Sequence, residues 1–243
     1  MSFGVMSIFT SRQTILEAIE KARSGSPLAA AEVVLLAATK TQPVAVIEEA
    51  IAAGITCFGE NRVQEAMEKW VDIKKRHPKV QLHLIGQLQT NKVKQALALF
   101  DVIQTLDRVA LAEACARELK NWRIEELKKK TADSSIPQFP NSLIPLFYIQ
   151  VNTGKEPQKA GVLPENADEF ISFCRKLELP VVGIMCVPPV NQPPAPHFAL
   201  LREIALRNNL PELSMGMSDD FEVAVRMGAS CVRIGTALFG TRI

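Results

Sequence analysis

The 243-residue chain is predicted to fold as a closed (β/α)8 barrel with one extra N-terminal helix. Three observations predict this. Short apolar, β-branched runs alternate with longer amphipathic ones, the pattern of a parallel sheet covered by helices. Eight such runs occur, enough for the sheet to close on itself. Several of them are apolar throughout, as strands buried on both faces are. An open doubly wound sheet is the weaker alternative, because no G-x-G-x-x-G follows the first strand.

The elements follow in order. Ser11–Arg23 is amphipathic, with Ile15, Ala18, Ile19 and Ala22 on one face, and Thr14 with Glu17 is a candidate capping box. Gly25-Ser26-Pro27 ends it. Strands are expected at 32–39, 55–59, 81–85, 101–106, 144–151, 180–187, 212–215 and 231–238. Helices are expected at 43–53, 61–76, 90–99, 108–120, 165–177, 197–208 and 219–227. In the second of these, Val63, Ala66, Met67, Trp70 and Ile73 form one stripe. Residues 121–142 break the rhythm, being charged and then Ser/Pro-rich; they are expected to be a helix extension plus a surface insertion. Residues 188–196 hold five of the 15 prolines and are expected to form a stiff loop over one barrel end. All of this is expected to form a single domain over 1–243.

Composition narrows the function. The net charge of +2 gives no electrostatic footprint for nucleic acid. The longest apolar runs, Val33–Ala38 and Val181–Val187, fall well short of the ~20 residues that span a membrane. The N-terminus lacks a basic region and a clear cleavage site, so no signal peptide is expected and a cytoplasmic location is. Cys57, Cys115, Cys174, Cys186 and Cys231 include no C-x-x-C pair and read as small buried thiols. His77, His83 and His197 share no H-x-x-x-H spacing, so no metal site is expected.

In a barrel of this kind, reactive groups come from the C-terminal ends of the strands and the loops beyond. The first strand ends in Thr39-Lys40-Thr41. Lys40 reads either as a strand end meeting solvent or as an amine partly desolvated at the mouth and free to condense with an aldehyde. Asn61, with Gln64 three residues on, reads as a helix cap or as a ligand. His83 reads as a satisfied interior histidine more readily than as a catalyst, and Thr90 as a helix cap. Around the last two strands, Gly216, Ser218, Gly235 and Thr236 are small or hydroxylic residues of the kind that admits a phosphate. Asp219 and Asp220 would repel that anion unless turned away. Arg233 shares a strand face with Cys231 and Gly235, and its buried guanidinium must find an acceptor. A strand-end carboxylate such as Glu60 is one choice.

Five ordered motifs together carry a resemblance: AATKTQP at 37–43, FGENRVQE at 58–65, HLIGQLQTNK at 83–92, LSMGMSDD at 213–220 and VRIGTALFG at 232–240. They resemble the pyridoxal 5′-phosphate homeostasis proteins, a family similar to the barrel domain of alanine racemase. The resemblance implies pyridoxal 5′-phosphate as cofactor, held as an aldimine on Lys40 with Asn61 beside its ring. It implies a phosphate cradle at Ser218, Gly235 and Thr236, lined by the backbone of Met215 and Gly216, and Arg233 facing the pyridine nitrogen. It further implies other B6 vitamers as ligands and pyridoxal-phosphate-requiring apoenzymes as partners.

An arginine on the pyridine nitrogen makes the ring a poorer electron sink. A two-base racemase also needs a second acid/base. In alanine racemase that group comes from an additional β-domain, which is not expected here. The only tyrosine, Tyr148, lies within an apolar strand. The expectation is therefore a cytoplasmic, monomeric carrier of the cofactor, not an enzyme. A weak racemase or other α-proton chemistry is the alternative, and a cofactor-free Schiff-base aldolase or sugar-phosphate isomerase the remainder.

Overall fold

The computed structural model describes residues 7–132 and 144–240, with backbone alone for 123–132. Eight parallel strands close in the order of the chain: β1 Val34–Ala38, β2 Cys57–Glu60, β3 Gln81–Leu84, β4 Val102–Leu106, β5 Leu146–Gln150, β6 Val181–Met185, β7 Glu212–Ser214 and β8 Cys231–Ile234, with β8 pairing back onto β1. The helices are α1 Ile8–Ser24, α2 Val44–Ala52, α3 Val63–Arg76, α4 Val93–Leu99, α5 Val109–Ala132, α6 Ala167–Lys176, α7 Pro194–Arg207, α8 Phe221–Arg226 and α9 Thr236–Phe239. Short 3-10 turns at Thr90–Lys92 and Pro164–Asn166 lead into α4 and α6. The fold is the predicted barrel.

Alternation along the strands divides the core. One set of residues, including Ala37, Phe58, Leu82, Ile103, Phe147, Ile184 and Val232, packs outward under the helices. The α3 stripe meets it: Val63, Ala66, Trp70 and Ile73 are buried, and the Trp70 ring tilts onto Phe58 at 5.0 Å. The other set points to the barrel axis. It contains small apolar groups, Leu36 with Cys57 and Cys231, and Val102 with Tyr148 and Met185. It also contains polar residues described below. The extra helix α1 packs on α8 and α9, outside the β1–β8 seam.

Several local expectations change. α1 begins at Ile8, because the Ser7 hydroxyl accepts the Thr10 N–H, so Thr14 and Glu17 lie inside the helix. Gln89, not Thr90, occupies the cap position before the 3-10 turn, and no side chain bonds there. The eighth strand stops at Ile234 instead of 238, since its pairing with β7 ends at Cys231, its pairing with β1 ends at Ile234, and Thr236–Phe239 coils into one helical turn. The sequence of 121–132 does extend α5, and 133–142 lies outside the described residues. In the proline-rich stretch, Pro194 already opens α7. All five cysteines are buried free thiols. Among the described residues no group of acidic, histidine or cysteine side chains is arranged to hold a metal, and no helix is long and apolar enough to cross a membrane.

Candidate functional site

Register brings the singled-out residues to the C-terminal end of the barrel. Leu36 pairs with Arg233 across β1–β8, and Ala38 pairs with Gly59 across β1–β2. Two residues further on, Lys40 and Asn61 stand level at the rim, on the axis-facing side by alternation. Gly235 is level with Ala38; a Cβ on it would lie 3.6 Å from the Ala38 carbonyl oxygen.

Lys40 is exposed, so the partial desolvation considered from sequence is not what the structure gives its side chain. The chain turns at Thr41, whose φ is 63°, and this carries residue 40 to the open rim. What the fold does fix is the backbone on either side. The Thr39 hydroxyl donates to Glu60 Oε1 at 2.8 Å, and the Thr41 N–H donates to Glu65 Oε1 at 2.6 Å. Lys69 Nζ joins the two carboxylates, at 2.7 Å from Glu60 and 2.8 Å from Glu65, and also donates to the Thr39 carbonyl. The Trp70 indole N–H completes the set on Glu60 Oε1. Glu60 is fully buried between the barrel and α3, and its Oε2 has no partner among the described residues. A buried carboxylate of this kind persists only with donors around it, so the brace is anchored in the core.

Asn61 does not cap α3. Arg62 occupies that position without a side-chain bond, and the Asn61 amide has no hydrogen-bond partner among the described residues.

Arg233 is 5% exposed and meets no carboxylate among the described residues. A pairing with Glu60, one choice open from the sequence, does not form, because Glu60 faces outward under α3 while Arg233 faces the axis. Arg233 Nη1 donates to Ser214 Oγ at 2.6 Å, and Nη2 to the Cys186 carbonyl at 2.8 Å. Its other N–H groups have no acceptor among the described residues. Burial pushes its pKa below the ordinary range, though a guanidinium keeps its charge in any protein.

Beyond Arg233 the hydrogen bonds continue across the axis. Ser214 Oγ donates to Gln104 Oε1 at 2.6 Å, Gln104 Nε2 lies 2.8 Å from His83 Nδ1, and His83 Nε2 lies 3.4 Å from Cys57 Sγ. Burial lowers the His83 pKa to about 4, so the imidazole is neutral. Ser214, Gln104 and the role of His83 were not legible as a set. The usable signal was a polar residue on the inward face of β3, β4, β7 and β8. Lys69 was missed too, although its spacing from Glu65 is that of a helical ion pair.

The loops after β7 and β8 lie side by side. The Ser218 hydroxyl accepts the Ala237 N–H at 3.2 Å, tying them together. Gly216 has φ +93°, and a Cβ there would meet Ala224 Cβ at 2.6 Å, so only glycine fits. The Asp220 carboxylate is turned onto the Met217 N–H at 2.6 Å, and Asp219 is exposed. Past Ile234 the sheet ladder ends, and the N–H groups of Ser218, Gly235 and Thr236 find no acceptor among the described residues. Such unpaired donors suit an anion. Met215 stands apart: its side chain is in the core and its N–H is spent on the Cys231 carbonyl. Tyr148 is buried on the axis with Val102 and Met185, and burial raises its pKa.

A profile of the alanine racemase N-terminal domain matches residues 29–243. The pyridoxal phosphate homeostasis protein of Aquifex aeolicus is 41% identical over 94% of this chain and 95% of its own length. PipY of Synechococcus elongatus, solved with PLP bound, aligns at a TM-score of 0.69 and 33% identity over 93% of this chain and 100% of that one. Alanine racemase from Acinetobacter baumannii, at 14% identity and a TM-score of 0.66 over 96% of this chain and 62% of that one, is alike in fold.

Proposed function

The chain belongs to the pyridoxal phosphate homeostasis proteins, built on the alanine racemase N-terminal domain, and from that premise we propose that its barrel mouth binds pyridoxal 5′-phosphate and serves intracellular B6 and amino-acid balance. One observation carries the assignment of residues. Arg233 is a buried guanidinium with neutral acceptors only and spare donors. Such a charge is costly unless an electron-rich partner completes it. A pyridine nitrogen is such a partner.

The remaining residues fit the rest of the group. Lys40 supplies the amine that holds it covalently at its aldehyde carbon, on a turn braced by Glu60, Glu65 and Lys69. Asn61 offers its unpartnered amide beside the ring. Ser218, Gly235 and Thr236 receive the phosphate on their free N–H groups, and Gly216 lets the loop come close. Met215 contributes packing beneath that loop and its carbonyl edge. When bound, the cofactor supplies an electrophilic carbonyl and an electron-withdrawing ring.

The role is holding rather than turnover, in a cytoplasmic monomer that exchanges the cofactor and related vitamers with apoenzymes. Tyr148 supports this, since its buried position among Val102 and Met185 does not suit a second acid/base at the rim. The test is an absorbance titration with pyridoxal 5′-phosphate. Wild type gains a visible band that borohydride fixes to the protein, and Lys40→Ala does not. Because Lys40 is exposed, its removal changes stability by no more than about 0.5 kcal/mol. A band of equal strength in Lys40→Ala overturns the lysine assignment. Exchange and inversion at amino-acid Cα at about 1 s⁻¹ or faster overturns the carrier role.

A further inference from the structure

The polar chain across the barrel has a direction, and Arg233 sets it. A guanidinium only donates, so Ser214 Oγ accepts from Nη1 and is left to donate to Gln104 Oε1. That orients the amide with Nε2 toward His83, and Nδ1 is then the acceptor. The imidazole proton sits on Nε2, facing Cys57 Sγ. Every donor from β8 through β7, β4 and β3 to β2 points away from the guanidinium.

The ordinary way to fix a buried guanidinium is a carboxylate, which would also quench its charge. Here a hydroxyl, an amide, a backbone carbonyl and a neutral imidazole do the fixing, and the charge is left whole. We propose that Ser214 and Gln104 are positioning residues for Arg233: they hold the guanidinium in place through neutral acceptors, so that its full charge and its spare N–H groups meet the bound cofactor ring. This rests on the mouth being the pyridoxal-phosphate site. Neither residue need touch the cofactor.

The test compares wild type, Ser214→Ala, Ser214→Thr and Gln104→Met, each titrated with pyridoxal 5′-phosphate after its urea midpoint is measured. Two readouts go beyond folding. One is the dissociation constant. The other is the pH at which the visible band interconverts, which a nearby cation holds down by favouring loss of a proton. Ser214→Ala removes one of the guanidinium's two acceptors, and Gln104→Met removes the partner that aims the Ser214 hydroxyl proton away from it, so in both the guanidinium is held less firmly. Affinity is expected to fall about tenfold, the size of one hydrogen bond to a charged group. The band's pH midpoint is expected to rise by about half a unit, as a charge some ångströms further off would give. Ser214→Thr restores the hydroxyl and both readouts.

If wild type binds normally and both deletions match it, the positioning role is overturned while the cofactor site stands. If Ser214→Thr behaves as Ser214→Ala, the hydroxyl is not what matters and the proposal fails. If wild type gives no band, the site and the proposal fall together. Should Ser214→Ala not fold, Gln104→Met against wild type decides.

Discussion

His83 makes the protein acid-sensitive by an amount that can be worked out in advance. The ring is 5% exposed, accepts a hydrogen bond at Nδ1, and has its pKa lowered by burial from 6.5 to about 4. The unfolded chain takes up a proton on this residue near its ordinary pKa, whereas the folded chain resists until about pH 4. The stability contributed by neutral His83 is therefore full above the ordinary value and drains as pH falls toward about 4. The whole difference is about 3 kcal/mol, and about three-quarters of it is gone by about pH 4.5. His83→Asn removes the titration but keeps an oxygen near Nδ1 to accept from Gln104. It costs stability at every pH through the smaller side chain, so the slope is the quantity to read. Urea unfolding from about pH 7 to about 4.5 should show wild type losing roughly 2 kcal/mol more than His83→Asn. Other acid-sensitive groups are common to both and cancel. Parallel stability curves would refute the neutral imidazole, and with it the donor order assigned to the Arg233 chain.

Three further outcomes are expected. Lys69→Met strands the buried Glu60 carboxylate and should cost about 3–5 kcal/mol by urea denaturation, with the double change Glu60→Gln/Lys69→Met recovering part of it. Gly216→Ala must place a Cβ 2.6 Å from Ala224 Cβ at a φ of +93°; it should cost about 1–3 kcal/mol and weaken pyridoxal 5′-phosphate binding. Pyridoxal, lacking the phosphate, should bind about 100-fold more weakly than its phosphate ester, the equivalent of two charge-assisted hydrogen bonds to the free N–H groups beyond β8. Equal affinities by titration would remove the phosphate from that loop.

The fold was legible because the strand and helix periods alternate cleanly over most of the chain. All eight strands fall where apolar, β-branched runs lie, and the α3 stripe buries except at Met67, which is half-buried. The overrun at β8 has a physical cause: T-A-L-F suits a strand as well as a helical turn, and only the end of the ladder on β1 and β7 decides between them. The rim was legible too, since residues at strand ends are forced there by topology. The supports were not. Arg233 was visibly in need of an acceptor, yet which acceptor depends on facing. Glu60 and Arg233 both lie on barrel strands, but one looks outward under α3 and the other inward to Ser214. Gln104 belongs to a partnership between strands 110 residues apart in the chain, which no local pattern encodes.

The two basic residues of the proposed site are held in opposite ways, and under that proposal the contrast would let one barrel both retain and release its cofactor. Arg233 is immobilised deep on the axis, desolvated, with its charge unquenched. Lys40 is free in its side chain but fixed in its backbone by carboxylates on the far side of the sheet, the outer one of which also orders Thr41. Those carboxylates sit behind the strand, so they set the turn without pairing with the amine at the rim. Under the proposed assignment, a rigid charge at the bottom would select what enters, and a flexible amine at the top would make and break a covalent hold without the fold rearranging. Moving a carboxylate to the axis side would remove this division. Ala38→Asp, one inward layer below Lys40 and level with Gly235, would put an anion between the two cations and offer Arg233 the partner that the native chain withholds.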